Sequence, residues 1–206
     1  NPGIEHLFLP YFYRIKRGEK VIGALENSYR RLSVAAKSGL FEGMVNTSWD
    51  DSGLHNQMWM MSWINSAEFS WSGASPSLDE FIDKYFVSYY GPEVRDMREL
   101  FTLFNDGGYY YMDAFEHNVW HEGDVGKTHL PDLPRGDAVE YDPYWTSEYA
   151  EITERSRHQY GQMQKAIAIC KANLVQSNMR NTYDFEVLLS VAKLVAHTAK
   201  VHIDLA

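Results

Sequence analysis

Phe41-Glu42-Gly43-Met44-Val45-Asn46-Thr47-Ser48-Trp49, closed by Asp50-Asp51-Ser52-Gly53, is the stretch on which the fold turns. It is short, contains β-formers and lies between Gly39 and Gly53, which predicts a strand. Upstream, Leu25, Tyr29, Leu32 and Ala36 recur at helical spacing, so an amphipathic helix is expected over roughly residues 20–37, with Gly39 as its stop. Glu26 and Arg30 stand four apart on its polar side, a favourable ion-pair spacing. Downstream, Met60, Ile64, Ala67 and Trp71 share one helical face, and Trp59 and Trp63 occupy another. A helix over 55–71 that is apolar on so many sides is expected to be buried. Helix–strand–helix with a polar, aromatic strand tip is the repeating unit of an α/β barrel, where active sites sit at strand C-terminal ends. One strand cannot close a barrel, so its partners are expected on chain outside this sequence.

The flanks extend this reading. Residues 1–14 are apolar and aromatic, but Pro2, Gly3 and Pro10 argue for a loop or short extended pieces. Ser75-Pro76-Ser77 marks a boundary, giving residues 1–74 as the last βα units of a barrel and 75–206 as a helical extension. Ser77 and Glu80 have capping-box spacing, so a helix should run to Tyr90 and stop at Gly91-Pro92. A second helix is expected to start at Pro92, with Leu100, Leu103 and Phe104 inside, and another over 109–120. Residues 121–143 hold three prolines and read as a long surface loop. Two long helices close the chain, over roughly 144–176 and 182–204, as an antiparallel hairpin. Ile152, Met163, Ile167, Cys170 and Leu174 line the first; Phe185, Leu188, Ala192, Val195 and Ala199 line the second. The expected class is mainly α: a partial (β/α)8-barrel end followed by a helical region.

A chain of 206 residues is long enough to bury a substantial core. Its net charge of −9 argues against a phosphate-backbone partner, which needs a basic face, so no nucleic acid is expected. No apolar run has the length of a membrane span. The single cysteine, Cys170, excludes an internal disulfide and a multi-cysteine zinc site; on a helix core face it should be inert. Six Trp, 14 Tyr and 10 Phe suit either a packed core or flat platforms for sugars, and composition does not separate the two. The sequence starts Asn1-Pro2-Gly3 without Met, which leaves its targeting unreadable.

The strand tip carries the chemistry. An indole followed by two carboxylates suits a sugar site: the ring packs on the pyranose C–H face and a carboxylate accepts from hydroxyls. The same residues also read as a buried Trp before an Asp that caps the next helix. Asn46-Thr47-Ser48-Trp49-Asp50-Asp51, then Trp59, then Ala67-Glu68-Phe69-Ser70-Trp71, resembles the last barrel strand and last barrel helix of glycoside hydrolase family 20, the β-N-acetylhexosaminidases. The Asn1-Pro2-Gly3 start is similar to a Ser-Pro-Gly turn after the seventh strand of some members, and some bacterial members carry a C-terminal helical extension. The resemblance implies that Trp49 walls the subsite for the N-acetylhexosamine ring and that Asp51 hydrogen-bonds its outer hydroxyls. Many members have Glu there, so Asp51 is a departure. The implied partner is an N-acetylhexosamine-containing glycan, and the implied compartment is periplasmic or secreted.

That family's chemistry is substrate-assisted: the acetamide oxygen attacks the anomeric carbon while an adjacent Asp-Glu pair orients the acetamide and protonates the leaving oxygen. The Asp-Glu dipeptide here, Asp79-Glu80, stands at a helix start, where acids stabilise the first turn. No catalytic residue, metal ligand or cofactor is therefore assigned within this chain, and alone it is expected to be inactive and either to self-associate or to rearrange its first 70 residues. Weaker candidates are a metal chelate by His117 and His121 in Glu116-His117 and His121-Glu122, His55 at the pocket mouth, and sugar contacts by Tyr11 and Tyr13. Solvated histidines, a helix-start hydrogen bond and packing are their competing readings. Glu68 is expected to pair with a buried cation or backbone group. A second function class, a non-catalytic helical module for carbohydrate binding or assembly, fits the helical content without a dyad.

Overall fold

The computed structural model describes residues 23–41, 57, 60–73, 75–114, 117–118, 125–127 and 150–205. The chain is mainly helical, with six helices among the described residues: α1 (Gly23–Ser38), α2 (Met60–Ser72), α3 (Leu78–Tyr90), α4 (Met97–Ala114), α5 (Ala150–Leu174) and α6 (Thr182–Leu205). A short antiparallel ladder joins β1 (His117–Asn118) to β2 (Val125–Lys127), His117 facing Lys127 and Asn118 facing Val125. The predicted strand over 41–49 lies outside the described residues apart from Phe41, which is exposed.

Local chemistry explains most boundaries. Gly39 closes α1 at φ 64°, a left-handed conformation that costs a glycine little. At the start of α3, the Ser77 hydroxyl accepts from the Glu80 backbone N–H, and the Glu80 carboxylate accepts from the Ser77 backbone N–H at 2.9 Å. That is the anticipated capping box. The end of α3 is closed by the α5–α6 connection. Arg180 N–H donates to Tyr90 O at 2.7 Å, Asn181 Nδ2 to Tyr89 O at 2.7 Å and Arg180 Nη2 to Val87 O at 3.2 Å. Gly91 is required there: its φ is 114°, and a Cβ would sit 2.9 Å from Asn178 O.

Two boundaries differ from expectation. The helix after Pro92 begins at Met97, not at the proline. Asn173, buried on α5, accepts from Arg95 N–H and donates to Arg95 O, both at 3.0 Å, which commits that backbone to a side chain instead of a helical turn. The segment expected as a separate helix over 109–120 is, to Ala114, the continuation of α4, and its end holds β1. Gly107 stays helical because its missing Cβ admits Met163 and Gln159; a Cβ would lie 3.0 Å from Met163 Cε and 3.3 Å from Gln159 Nε2.

One apolar core runs through all six helices. α5 and α6 pack against each other most extensively, and α4 lies against both. Met163 and Cys170 from α5 meet it, as do Phe185, Leu188, Ala192, Val195 and Ala199 from α6, all buried as the periodicity indicated; Ile152, Ile167 and Leu174, expected on the same face of α5, are half-buried, and Ala166 is buried with them. α1 packs on α2 and only lightly on α3. Among the described residues no helix is long and apolar enough to cross a membrane.

Candidate functional site

Trp49 and Asp51 lie outside the described residues, as do His55, Tyr11 and Tyr13. The helix that follows the tip, α2, is described, and it reverses the expected burial. The face expected inside is the outer one: Met60 and Ile64 are half-buried, Ala67 is exposed, and Trp71 is 93% exposed. The buried face is Met61, Ser62, Asn65, Ser66 and Phe69. Ring packing selects it. Phe69 sits edge-on to Tyr29 of α1, with centroids 4.6 Å apart, and to Phe81 of α3 at 5.3 Å. A residue four or three positions before Phe69 must then also turn inward, which buries Asn65 and Ser66.

This burial leaves a polar stripe without partners. Ser62 Oγ, both amide atoms of Asn65 and Ser66 Oγ are buried and make no hydrogen bond among the described residues. Each such group costs about 1–3 kcal/mol when it loses water without replacement. An amide and two hydroxyls on successive turns offer donors and acceptors together. They contain no nucleophile–base pair and no carboxylate, so the stripe can hold a polar group but cannot move a proton near neutral pH. Glu68 is half-buried, and a partner for its carboxylate, expected to be a buried cation or backbone group, does not fall among the described residues.

Asp79-Glu80 is engaged in structure. The Ser77 side chain and then the Ser77 backbone hold the Glu80 carboxyl below its ordinary value by hydrogen bonding. Arg98 donates from Nη1 to Asp79 at 3.0 Å and from Nε to Asp83 at 2.8 Å. Both acids serve the start of α3 and its contact with Arg98. His117 lies in β1, so the helical spacing on which a His117–His121 chelate depended is absent at that end. No cluster of three or more metal-binding side chains occurs among the described residues. Cys170 is fully buried, and desolvation pushes its thiol up to about 12, which keeps it unreactive.

Sequence reasoning missed the buried polar groups of the C-terminal helices. Tyr110 OH and Ser156 Oγ are 2.7 Å apart, and Ser156 Oγ donates to Ile152 O at 2.6 Å. With the serine proton so used, the tyrosine is the donor of the pair. Burial, the larger effect, raises the Tyr110 hydroxyl above its usual range, opposed by the Ser156 bond. Asp184 is buried at the first turn of α6, with Tyr90 OH 3.4 Å from its carboxylate. Burial, then the Asp184 charge, raises the neighbouring Tyr89 hydroxyl. A signal existed: Thr153, Ser156, Gln159 and Asn173 fall on the same helical face as Met163, Ala166 and Cys170. These groups fix helix packing; they do not converge on a reacting centre. No protein-family model matches the chain, and no curated protein or solved structure is significantly similar to it.

Proposed function

We propose that this chain is the C-terminal portion of a glycoside hydrolase acting on terminal N-acetylhexosamine residues by substrate-assisted, retaining hydrolysis. In this reading residues 1–74 are the last βα units of a (β/α)8 barrel, and 75–206 are a helical extension that ends in an antiparallel hairpin. Trp49 supplies the apolar wall against the sugar ring, and Asp51 accepts hydrogen bonds from its outer hydroxyls. The acid and the acetamide-orienting carboxylate are contributed by chain outside this sequence.

The observation that carries the reading is the pairing of Asn46-Thr47-Ser48-Trp49-Asp50-Asp51 with Ala67-Glu68-Phe69-Ser70-Trp71 further on. Helices α1 and α2 flank the predicted strand, which is the order a barrel repeat requires. The Asp79 and Glu80 side chains are committed to Arg98 and Ser77, which favours a catalytic pair elsewhere. The seven-residue link between α5 and α6, with the contact between those helices, favours the hairpin.

The coding sequence immediately upstream is the direct test. An adjacent Asp-Glu pair about half a barrel before Asn1, with release of chromophore from an N-acetylglucosaminide by the full-length protein, is the expected result. A stop or an unrelated domain there overturns the proposal. A non-catalytic helical assembly module is the second reading, favoured by the mainly helical character of the described residues; it predicts no hydrolysis by the full-length protein.

A further inference from the structure

Helix α2 packs with its more polar side inward. Met61, Ser62, Asn65, Ser66 and Phe69 are buried, and Phe69 meets Tyr29 of α1 and Phe81 of α3. Met60, Ile64, Ala67 and Trp71 recur at +4, +3 and +4, the spacing of a helix–helix seam, on the opposite side of the same helix. That apolar stripe is open to solvent in its C-terminal half: Met60 and Ile64 are half-buried, but Ala67 is exposed and Trp71 is 93% exposed. α1 runs parallel to α2, with Ser33 Oγ donating to Gly73 O at 3.4 Å. The exposed Val34, Leu40 and Phe41 therefore stand at the same end of the helix pair as Trp71. A contiguous apolar surface of this kind marks a face that meets a partner.

We propose that this stripe is the contact of a symmetric dimer, in which the α2 helices of two copies of the chain pack antiparallel. Two observations select a second copy as the occupant. The first is that the stripe complements itself. A two-fold axis at its midpoint sets Trp71 against the partner's Met60 and Ile64 against the partner's Ala67. Each bulky side chain then meets a flexible or a small one, and a thioether meets an indole. The second is charge. By sequence, α1 and α2 carry Arg30, Arg31 and Lys37 against Glu26 and Glu68, a near balance, whereas the whole chain stands at −9. Two copies that meet here avoid the repulsion that the acidic remainder would impose elsewhere. A four-residue seam is small beside the roughly 800 Å² per partner of a standard interface, so the dimer should be reversible, with a micromolar Kd. The inference does not rest on the glycosidase reading.

The test is sedimentation velocity on the full-length protein over a dilution series. The unsubstituted protein should pass from monomer to dimer as concentration rises. Trp71→Ala should weaken association roughly tenfold to a hundredfold, the effect of truncating an aromatic anchor. Ile64→Asp should abolish association, and both variants should keep the thermal midpoint of the dilute protein. Val175→Asp removes another exposed apolar side chain, after α5, and should leave association intact. Met60→Lys and Trp71→Glu should each weaken the dimer, and the two combined in one chain should recover association, because the two-fold brings the opposite charges together. A protein that is monomeric at every concentration overturns the dimer; if Ile64→Asp then lowers its thermal midpoint, the stripe is covered within one chain. Association that survives Ile64→Asp, or that Val175→Asp abolishes equally, overturns the α2 contact. A combined variant weaker than either single one overturns the antiparallel arrangement. Hydrolysis of an N-acetylglucosaminide by the same protein decides the glycosidase reading separately.

Discussion

At the end of α3 the carbonyls of Val87, Tyr89 and Tyr90 each meet a donor from the α5–α6 connection, whereas on α2 three polar side chains are buried with no partner among the described residues. The two regions solve the same problem to different degrees. Taking a polar group out of water is tolerable only when a partner replaces the water. The C-terminal helices are not free of exceptions, since Thr153 Oγ1 and Gln159 Nε2 are buried without partners too. Exposed apolar side chains also occur in both, Val175 in one and Trp71 in the other. What sets α2 apart is concentration: Ser62, Asn65 and Ser66 occupy one continuous face, while Trp71 faces solvent at 93% exposure. Among the described residues, the end of α3 has its polar groups met by a neighbour, while α2 turns a polar face inward to satisfy ring packing.

Substitutions can break or sharpen this contrast. The largest effect is expected in the closed region: Phe185→Ala empties a fully buried site and should cost about 3–5 kcal/mol in urea unfolding. A loss under 1 kcal/mol would show that the core there is loosely packed. Next, Asn173→Ala leaves both backbone groups of Arg95 unpaired and should cost about 1–3 kcal/mol, with faster exchange at 95–97. The open region should respond with the opposite sign. Ser62→Ala combined with Ser66→Ala removes two unpaired hydroxyls from a helix and should stabilise the chain by about 1 kcal/mol. In a full-length protein that pairs those hydroxyls, the same double variant should destabilise, and the inversion is the informative result.

The smallest effect concerns the α3 cap. Glu80 has its carboxyl lowered by Ser77, so its stabilising share is fully present above the ordinary Glu value and fades as pH falls through the lower, folded one. Glu80→Gln retains a capping side chain without that titration. The variant's stability should therefore depend less steeply on pH in the acid range, read from thermal midpoints between pH 2 and 5 (about the window set by the reference carboxyl). Equal slopes would mean that the bond to Ser77 does not persist in solution.

Much of the closed region was legible in the sequence, because its determinants are local. The Ser77–Glu80 cap, the Gly91 stop and the apolar series Phe185, Leu188, Ala192, Val195 and Ala199 are written within a few residues of where they act. Tertiary effects were not. Pro92 signalled a helix start, yet Asn173, distant in sequence, holds Arg95 out of the helix. The separate helix expected over 109–120 is instead continuous with α4, where Gly107 serves close packing against Met163. On α2 the spacing Met60, Ile64, Ala67 and Trp71 was real, but ring contacts with Tyr29 and Phe81 turned the opposite face inward. Of the candidate site, Trp49 and Asp51 are read from residue type and resemblance and lie outside the described residues; the buried polar face of Ser62, Asn65 and Ser66 was not legible, because packing by distant rings and not local spacing turns it inward.

The central claim, that the tip before α2 is a sugar wall of a hexosaminidase, is tested most directly by Trp49→Ala in the full-length protein. Initial rates on a chromogenic N-acetylglucosaminide should fall about 10²-fold in kcat/KM, since a lost stacking wall misplaces the substrate at the reacting centre. A kcat/KM near that of the unsubstituted protein would contradict the account.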